Sequence, residues 1–236
     1  MKANCSTGRS STDRVRPRRK AVLHSFSLGV ASLLVSTSCG RFAPEEQGEQ
    51  RELLVELKDA VRCGVERWAV KVGTDDDAWA VDLTPLDTTV DTLINFPLPE
   101  SLPPRNRLPE ELVVYRLSDV TLTVYRRETD SDYHLVIDDG GETMIVEIPH
   151  PDCVGPDSPF LSGAQTARDA FDSTFTATDR FQTANVTTTV IGAGFFDFLH
   201  GQRGVAPNGF ELHSVLGICF DPGCDAGSAL RLTAAH

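Results

Sequence analysis

In 112-LVVYRLSDVTLTVYRRE-128 the apolar residues alternate as Val113, Tyr115 and Leu117, then resume one position out of step as Val120, Leu122 and Val124. Alternation marks a strand with one buried face, and a slip of one residue marks a bulge that bends it. The segments C-terminal to this strand set the topology. DYHLVID (132–138) and ETMIVEI (142–148) flank Asp139-Gly140-Gly141, a hairpin signal. Ser158-Pro159 reads as the N-cap and first-turn proline of a helix whose apolar face is Phe160, Ala164, Ala167, Phe171 and Phe175. NVTTTVIGAGFFDF (185–198), in which Gly192 and Gly194 permit sharp curvature, and FELHSVLGICF (210–220) supply two more strands. Three strands, a helix and two strands over residues 111–220 is the order of an OB-fold, so the sequence predicts a mainly β protein built on a small five-stranded barrel. The alternatives are a sandwich that enlists an N-terminal strand, or an α+β sheet.

Residues 63–110 read as a small strand and helix extension. GVERWAVKVGT (64–74) has the character of a strand through Val65, Trp68, Val70 and Val72. It stops at Asp75-Asp76-Asp77, which reads as a solvated turn. Thr88 or Thr89 is placed to cap a short helix ending before Phe96-Pro97, and Pro97, Pro99, Pro103, Pro104 and Pro109 mark an extended linker. Residues 39–62 form a tether, with Leu53, Leu54, Leu57 and Val61 at helical spacing in its last part, and residues 221–236 form a C-terminal tail.

Charge is distributed unevenly along the 236 residues. The chain carries a formal net charge of −12. Residues 1–38 hold seven Lys and Arg against one Asp, which is +6 and leaves −18 on residues 39–236. A basic opening, the apolar run AVLHSFSLGVASLLVSTS (21–38) and small residues before Cys39 describe a secretory signal, and LLVSTSCG resembles a lipobox in which Cys39 becomes lipidated. The expected destination is the cell membrane as a lipoprotein, or the exterior. Cysteine usage agrees. Cys63, Cys153, Cys219 and Cys224 remain, an even number suited to an oxidising compartment. Four cysteines allow three pairings. The Pro-Gly turn between Cys219 and Cys224 favours a local bridge, which leaves Cys63 for Cys153. A four-cysteine zinc site is excluded by spacing, since there is one close pair.

Candidate chemistry sits on the hairpin and the last loop. With Asp139-Gly140 at the turn, Asp132 faces Glu147; with Gly140-Gly141, His134 faces Glu147. In either register Asp132, His134 and Glu147 share the face away from the core, and Asp130 extends their row. Glu211 and His213 alternate away from Phe210 and Leu212 in the same way. Between the last two strands, DFLHGQRGVAPNG (197–209) holds Asp197, His200, Gln202, Arg203 and Asn208 in a glycine-bearing loop of the kind that binds ligands in OB-folds. His134, Glu147, His200, Glu211 and His213 are the acid–base candidates, and Asp130, Asp132, Asp197, Gln202, Arg203 and Asn208 the ligand-binding ones. A divalent cation is the candidate cofactor, although no fixed motif such as H-E-x-x-H is present.

Three function classes are open to such a chain: a binding module, a secreted metal-dependent nuclease or phosphoesterase, and a structural envelope protein. A segment at −18 repels a polyanion, and Arg105, Arg107, Arg116, Arg126 and Arg127 lack an interleaved aromatic stripe. Passive nucleic-acid binding is disfavoured, and an oligosaccharide, peptide or protein ligand is preferred. Finally, CGVERWAVK (63–71), DSDYHLVIDD (130–139), TMIVEIPHPDC (143–153) and GFFDFLHGQRGVAPNGFELHSVL (194–216) resemble a family of small secreted or lipid-anchored bacterial proteins. The resemblance covers residues 63–220. It implies export and a single domain, and it implies no activity.

Overall fold

The computed structural model describes residues 61–227; the expected signal segment, Cys39, nearly all of the tether and the end of the tail lie outside the described residues. The regular elements are α1 (Trp68–Lys71), β1 (Asp82–Thr88), α2 (Val90–Ile94), β2 (Val113–Arg127), β3 (Tyr133–Asp139), β4 (Glu142–Ile148), α3 (Leu161–Asp172), β5 (Gln182–Phe196) and β6 (Phe210–Cys219). The protein is mainly β. One six-stranded sheet carries a ring of bonded strands, running β2-β3-β4-β6-β5 and back to β2, with β1 added on the outside.

The parity slip in β2 is what lets that ring close. Its first half lies between β1 and β5, and its second half between β3 and β5. The register shifts between Leu117 and Val120, where Ser118 and Asp119 are exposed and Asp119 takes φ +56°. One extra residue there rotates the strand, so that Leu117 and Val120 both stay in the core. The β3–β4 hairpin turns on Gly140 and Gly141, whose φ values of +66° and +99° suit the mirror-image turns that match strand twist. His134 therefore faces Glu147. β4 then runs parallel to β6, with Glu147 beside His213.

Tyr133, Leu135 and Ile137 from β3 meet Met144, Val146 and Ile148 from β4, together with Leu117, Leu122, Leu212 and Phe210. Helix α3 lies on β6, close enough that a Cβ on Gly163 would stand 2.8 Å from Leu216 Cβ, and it delivers Phe171 to the core. Both expected disulfides form. Cys63–Cys153 spans 90 residues and Cys219–Cys224 spans 5. In the chain-entropy account the long loop adds roughly 2–4 kcal/mol.

The N-terminal extension departs from expectation. Residues 64–74 are not a strand. Arg67 enters the left-handed region at φ +46°, and α1 comes next as a single helical turn. The chain turns there because Arg67 and Lys71 each send a charged group inward, which a pleated strand with one apolar face would not permit. Asp75 is likewise no solvated turn residue, since its carboxylate is buried against Arg107. The unexpected strand is β1, parallel to β2 on the edge, where Pro85 is tolerated. Thr89 does cap α2, accepting from Thr92 N at 3.2 Å. Helix α3 starts two residues later than Pro159, because Ser158 Oγ donates to Val72 O at 2.7 Å and accepts from Phe160 N at 3.0 Å, holding the turn ahead of the helix.

Candidate functional site

The row across β3, β4 and β6 arises from two registers. His134 lies beside Glu147 in the hairpin, and Glu147 lies beside His213 in the parallel pair. A pleat period of two puts Asp132 next to His134 and Glu211 next to His213 on the same face. All five are buried, with Asp132 and His213 fully so. The alternation alone predicts that this face meets solvent. Instead the α1 turn and the 197–209 loop cover it: Lys71 descends from α1, and Gly204, at φ +85°, lies so close that a Cβ would stand 2.4 Å from Val136 Cγ1. A smaller polar core therefore sits outside the ring.

Each imidazole in the row faces acceptors with both nitrogens. His134 donates through Nδ1 to Glu147 Oε1 at 3.0 Å, with Glu128 Oε1 at 3.3 Å, and through Nε2 to the Arg203 carbonyl at 2.9 Å. His213 donates through Nε2 to Asp132 Oδ2 at 3.1 Å, with Glu147 Oε2 at 3.3 Å, and its Nδ1 lies 3.3 Å from the Lys71 carbonyl. A neutral imidazole has one N–H, so both rings are drawn toward the doubly protonated form. Burial opposes charge on His213, but the hydrogen bonds to Asp132 and Glu147 prevail and hold its pKa at about 10. His134 is raised for the same reason, with Glu147 outweighing burial.

Lys71 lies among carboxylates, 3.3 Å from Asp197, 3.7 Å from Glu211 Oε1 and 3.8 Å from Glu147 Oε2. Burial disfavours its charge, yet Glu211, Glu147 and Asp197 outweigh that cost and keep it protonated beyond an ordinary lysine. The two glutamates respond oppositely. Burial would raise Glu147, but Lys71, His134 and His213 hold it well below the usual carboxylate range. Glu211 is pushed well above that range by burial, which Lys71 does not offset against Glu147 and Asp197. Among the described residues, Glu211 Oε1 is the buried side-chain atom left without a hydrogen bond. Burial also raises Asp132 and Asp130.

Above this row opens a cavity of about 380 Å³ lined by Trp68, Lys71, Glu128, Asp130, His134, Glu147, Asp197, His200, Gln202, Glu211 and the 62–66 segment. The expected site residues separate here into three groups. Asp130, Asp132, His134, Glu147, Asp197, Glu211 and His213 converge in or just beneath the cavity. His200 and Gln202 stand on its rim, where His200 N donates to Gln202 Oε1 at 3.2 Å and His200 Nε2 lies 3.9 Å from Glu66. Arg203 and Asn208 serve elsewhere. The Arg203 guanidinium stacks over Phe181 at 4.9 Å and leaves its carbonyl to His134. Asn208 donates to Leu93 O at 2.9 Å and Phe96 O at 3.1 Å, pinning α2 to the loop. Lys71, Glu128, Glu66 and Trp68 belong to the site and are absent from the residues that the sequence nominates. The signal available for Lys71 is charge at every fourth residue, Arg67, Lys71 and Asp75, inside an otherwise apolar run.

No protein-family model and no curated protein matches the chain. Among solved structures, a chain described as a "putative aspartyl-tRNA synthetase from Leishmania major Friedlin" is similar at a TM-score of 0.34 and 14% identity, over 75% of this chain and 27% of that one. This chain thus spans 27% of that protein's length, and a likeness at that TM-score carries no argument about fold or function.

Proposed function

We propose that this chain is an exported, lipid-anchored binding module of the cell envelope, built on an OB-like barrel, with the acidic cavity as its ligand site. The ring order, the parallel β4–β6 pair and the helix between β4 and β5 support the barrel reading. The basic and apolar segment before Cys39 and the two disulfides support export.

One observation carries the ligand site. Glu211 Oε1 is buried beside the cavity without a hydrogen bond, the Lys71 ammonium standing off at 3.7 Å, and a buried polar atom left so is costly unless a ligand supplies a donor. Six carboxylates line the cavity: Glu66, Glu128, Asp130, Glu147, Asp197 and Glu211. They select a ligand rich in N–H or O–H groups and repel a polyanion, and the Trp68 ring on the wall offers a flat apolar contact. An amine-bearing oligosaccharide or peptide fits that lining. Calorimetric titration of the protein with glucosamine oligomers and lysine-containing peptides is expected to give saturable binding that weakens with added salt. Absence of binding to both probe sets overturns this reading.

A second reading, a metal-dependent nuclease or phosphoesterase, is favoured by the position of Glu147 between two imidazoles. A metal there would supply both an activated water and the positive charge a phosphate requires.

A further inference from the structure

We infer that a divalent transition-metal ion such as zinc binds at the floor of the cavity, held by His134 Nδ1, Glu147 Oε1 and Glu128 Oε1. The inference deepens the ligand-site reading by naming what occupies the cavity's base, and rests on it only in using the same cavity. The three atoms form one of two trios that share Glu147. In the inner trio, Asp132 and His213 lie beneath the cavity floor, only Glu147 lines the cavity, and Lys71 stands 3.8 Å from Glu147 Oε2. Two of its three groups therefore have no face on the cavity. The outer trio lines the cavity itself, so an ion has a path in.

Geometry at the outer trio suits a metal. His134 Nδ1 lies 3.0 Å from Glu147 Oε1 and 3.3 Å from Glu128 Oε1, and Arg126 donates to the same Glu128 oxygen from Nη2 at 2.6 Å and Nε at 3.0 Å, so a bound ion shares that carboxylate with the guanidinium or displaces it. Ligands bonded at about 2.0–2.2 Å to a tetrahedral ion stand roughly 3.3–3.5 Å apart, so small adjustments admit one. The far nitrogen of His134 is tied to the Arg203 carbonyl at 2.9 Å, the second contact that fixes ring orientation and tautomer in metal-bound histidines. One nitrogen with two carboxylates selects a first-row transition ion over calcium, which prefers oxygens throughout. The independent pointer is Glu211. Its unmatched, buried Oε1 borders the same cavity, and a hydrated cation brings the water donors that this oxygen lacks.

The test uses the full chain, stripped with a chelator and titrated with zinc, and separately with calcium. One equivalent of zinc is expected to bind with a Kd below about 1 μM. Glu128→Gln and His134→Asn are each expected to weaken it at least tenfold, since even outer-shell changes cost about that much. Glu128 is partly exposed just beyond the end of β2, so its variant keeps the protein folded if His134→Asn does not, and thermal unfolding of both verifies this. Zinc bound equally well by both folded variants, calcium preferred over zinc, or no uptake at all overturns the inference. Glucosamine oligomers bound without zinc uptake sink the metal and leave the binding module standing; zinc bound without any oligomer or peptide does the reverse.

Discussion

Two buried ionic clusters meet at the α1 turn, and they are balanced in opposite ways. Around Arg67 and Arg107 the groups are matched one for one. Arg67 grips both oxygens of Glu111, at 2.6 and 2.9 Å, while Glu111 also accepts from the backbone of Leu108 and Phe196 at 2.8 Å each. Arg107 holds Asp75 at 2.8 Å with both side chains fully buried, and also donates to the carbonyls of Glu111 and Val70. Four residues from either anchor, Lys71 faces Asp197, Glu147 and Glu211 with one charge, and one oxygen stays unmatched. A polar core that exists to fix a fold can be completed by selection of partners, as the first cluster is. The second sets six carboxylates around a cavity and leaves one buried oxygen without a hydrogen bond, which folding alone does not require and a ligand can use. The anchored ends explain how Lys71 is kept in place: α1 is one turn long, and its position depends on Arg67 and Asp75 rather than on helix propensity.

If the matched cluster is what holds that segment, breaking it should give the largest effect. Glu111→Ala leaves the Arg67 guanidinium buried without its carboxylate, a change that costs about 3–5 kcal/mol. For a domain of this size that corresponds to a fall in Tm of roughly 10 °C, read by circular dichroism. A fall of less than about 2 °C would show that the pair is dispensable and would undo the contrast with the cavity.

The second effect is a pH dependence confined to the unbalanced cluster, measured on protein held metal-free. His213 has its folded pKa raised to about 10 from 6.5 by Asp132 and Glu147, against burial and the nearby Lys71 charge. A raised histidine stabilises the fold fully below 6.5, and that contribution drains away as pH rises through about 10. Stability is therefore expected to decline by a few kcal/mol over this window, and the His213 ring signals in NMR should stay those of the protonated form at about pH 8. Ring signals that titrate near the ordinary 6.5 would mean that the carboxylates do not hold the charge.

How much of this can be read from the sequence depends on the reach of each contact. The hairpin, the bulge in β2 and the shared face of Asp132, His134 and Glu147 rest on a period of two and on Gly140-Gly141, which are local signals. The order of elements along the chain is legible from the position of Phe160 to Phe171 between the hairpin and the last two strands, whereas β1, which adds a sixth strand to the sheet, is not. Burial of the polar face is illegible, because the residues that cover it, Lys71 and Gly204, come from segments far away in the chain. The same holds for residues 64–74: their apolar spacing suggests a strand, but Arg67 and Asp75 find partners at Glu111 and Arg107, more than 30 residues on. Arg203 and Asn208 suit a ligand site by residue type. Phe181 and the carbonyls of Leu93 and Phe96 take their side chains instead, and no local pattern marks such competition.

The smallest expected effect has the opposite sign to the first, and it separates the two clusters most directly. Glu211→Gln removes a carboxylate from beside Glu147 and Asp197 while keeping its volume, and its amide can donate where the carboxylate only accepts. The folded pKa of Glu211 is raised, so near pH 4 the group is protonated in folded protein and largely so in unfolded protein, and the variant should match the parent. As pH rises, the unfolded chain ionises first and the parent loses stability that the variant keeps. Near pH 8 the variant should be more stable by about 1 kcal/mol, a Tm gain of roughly 2–4 °C in metal-free protein. The contribution of Lys71 works against this, since its contact with Glu211 at 3.7 Å is lost. A variant less stable than its parent at both pH values would show that the Lys71 contact outweighs the crowding, and the cavity would then be a matched core like the one around Arg67.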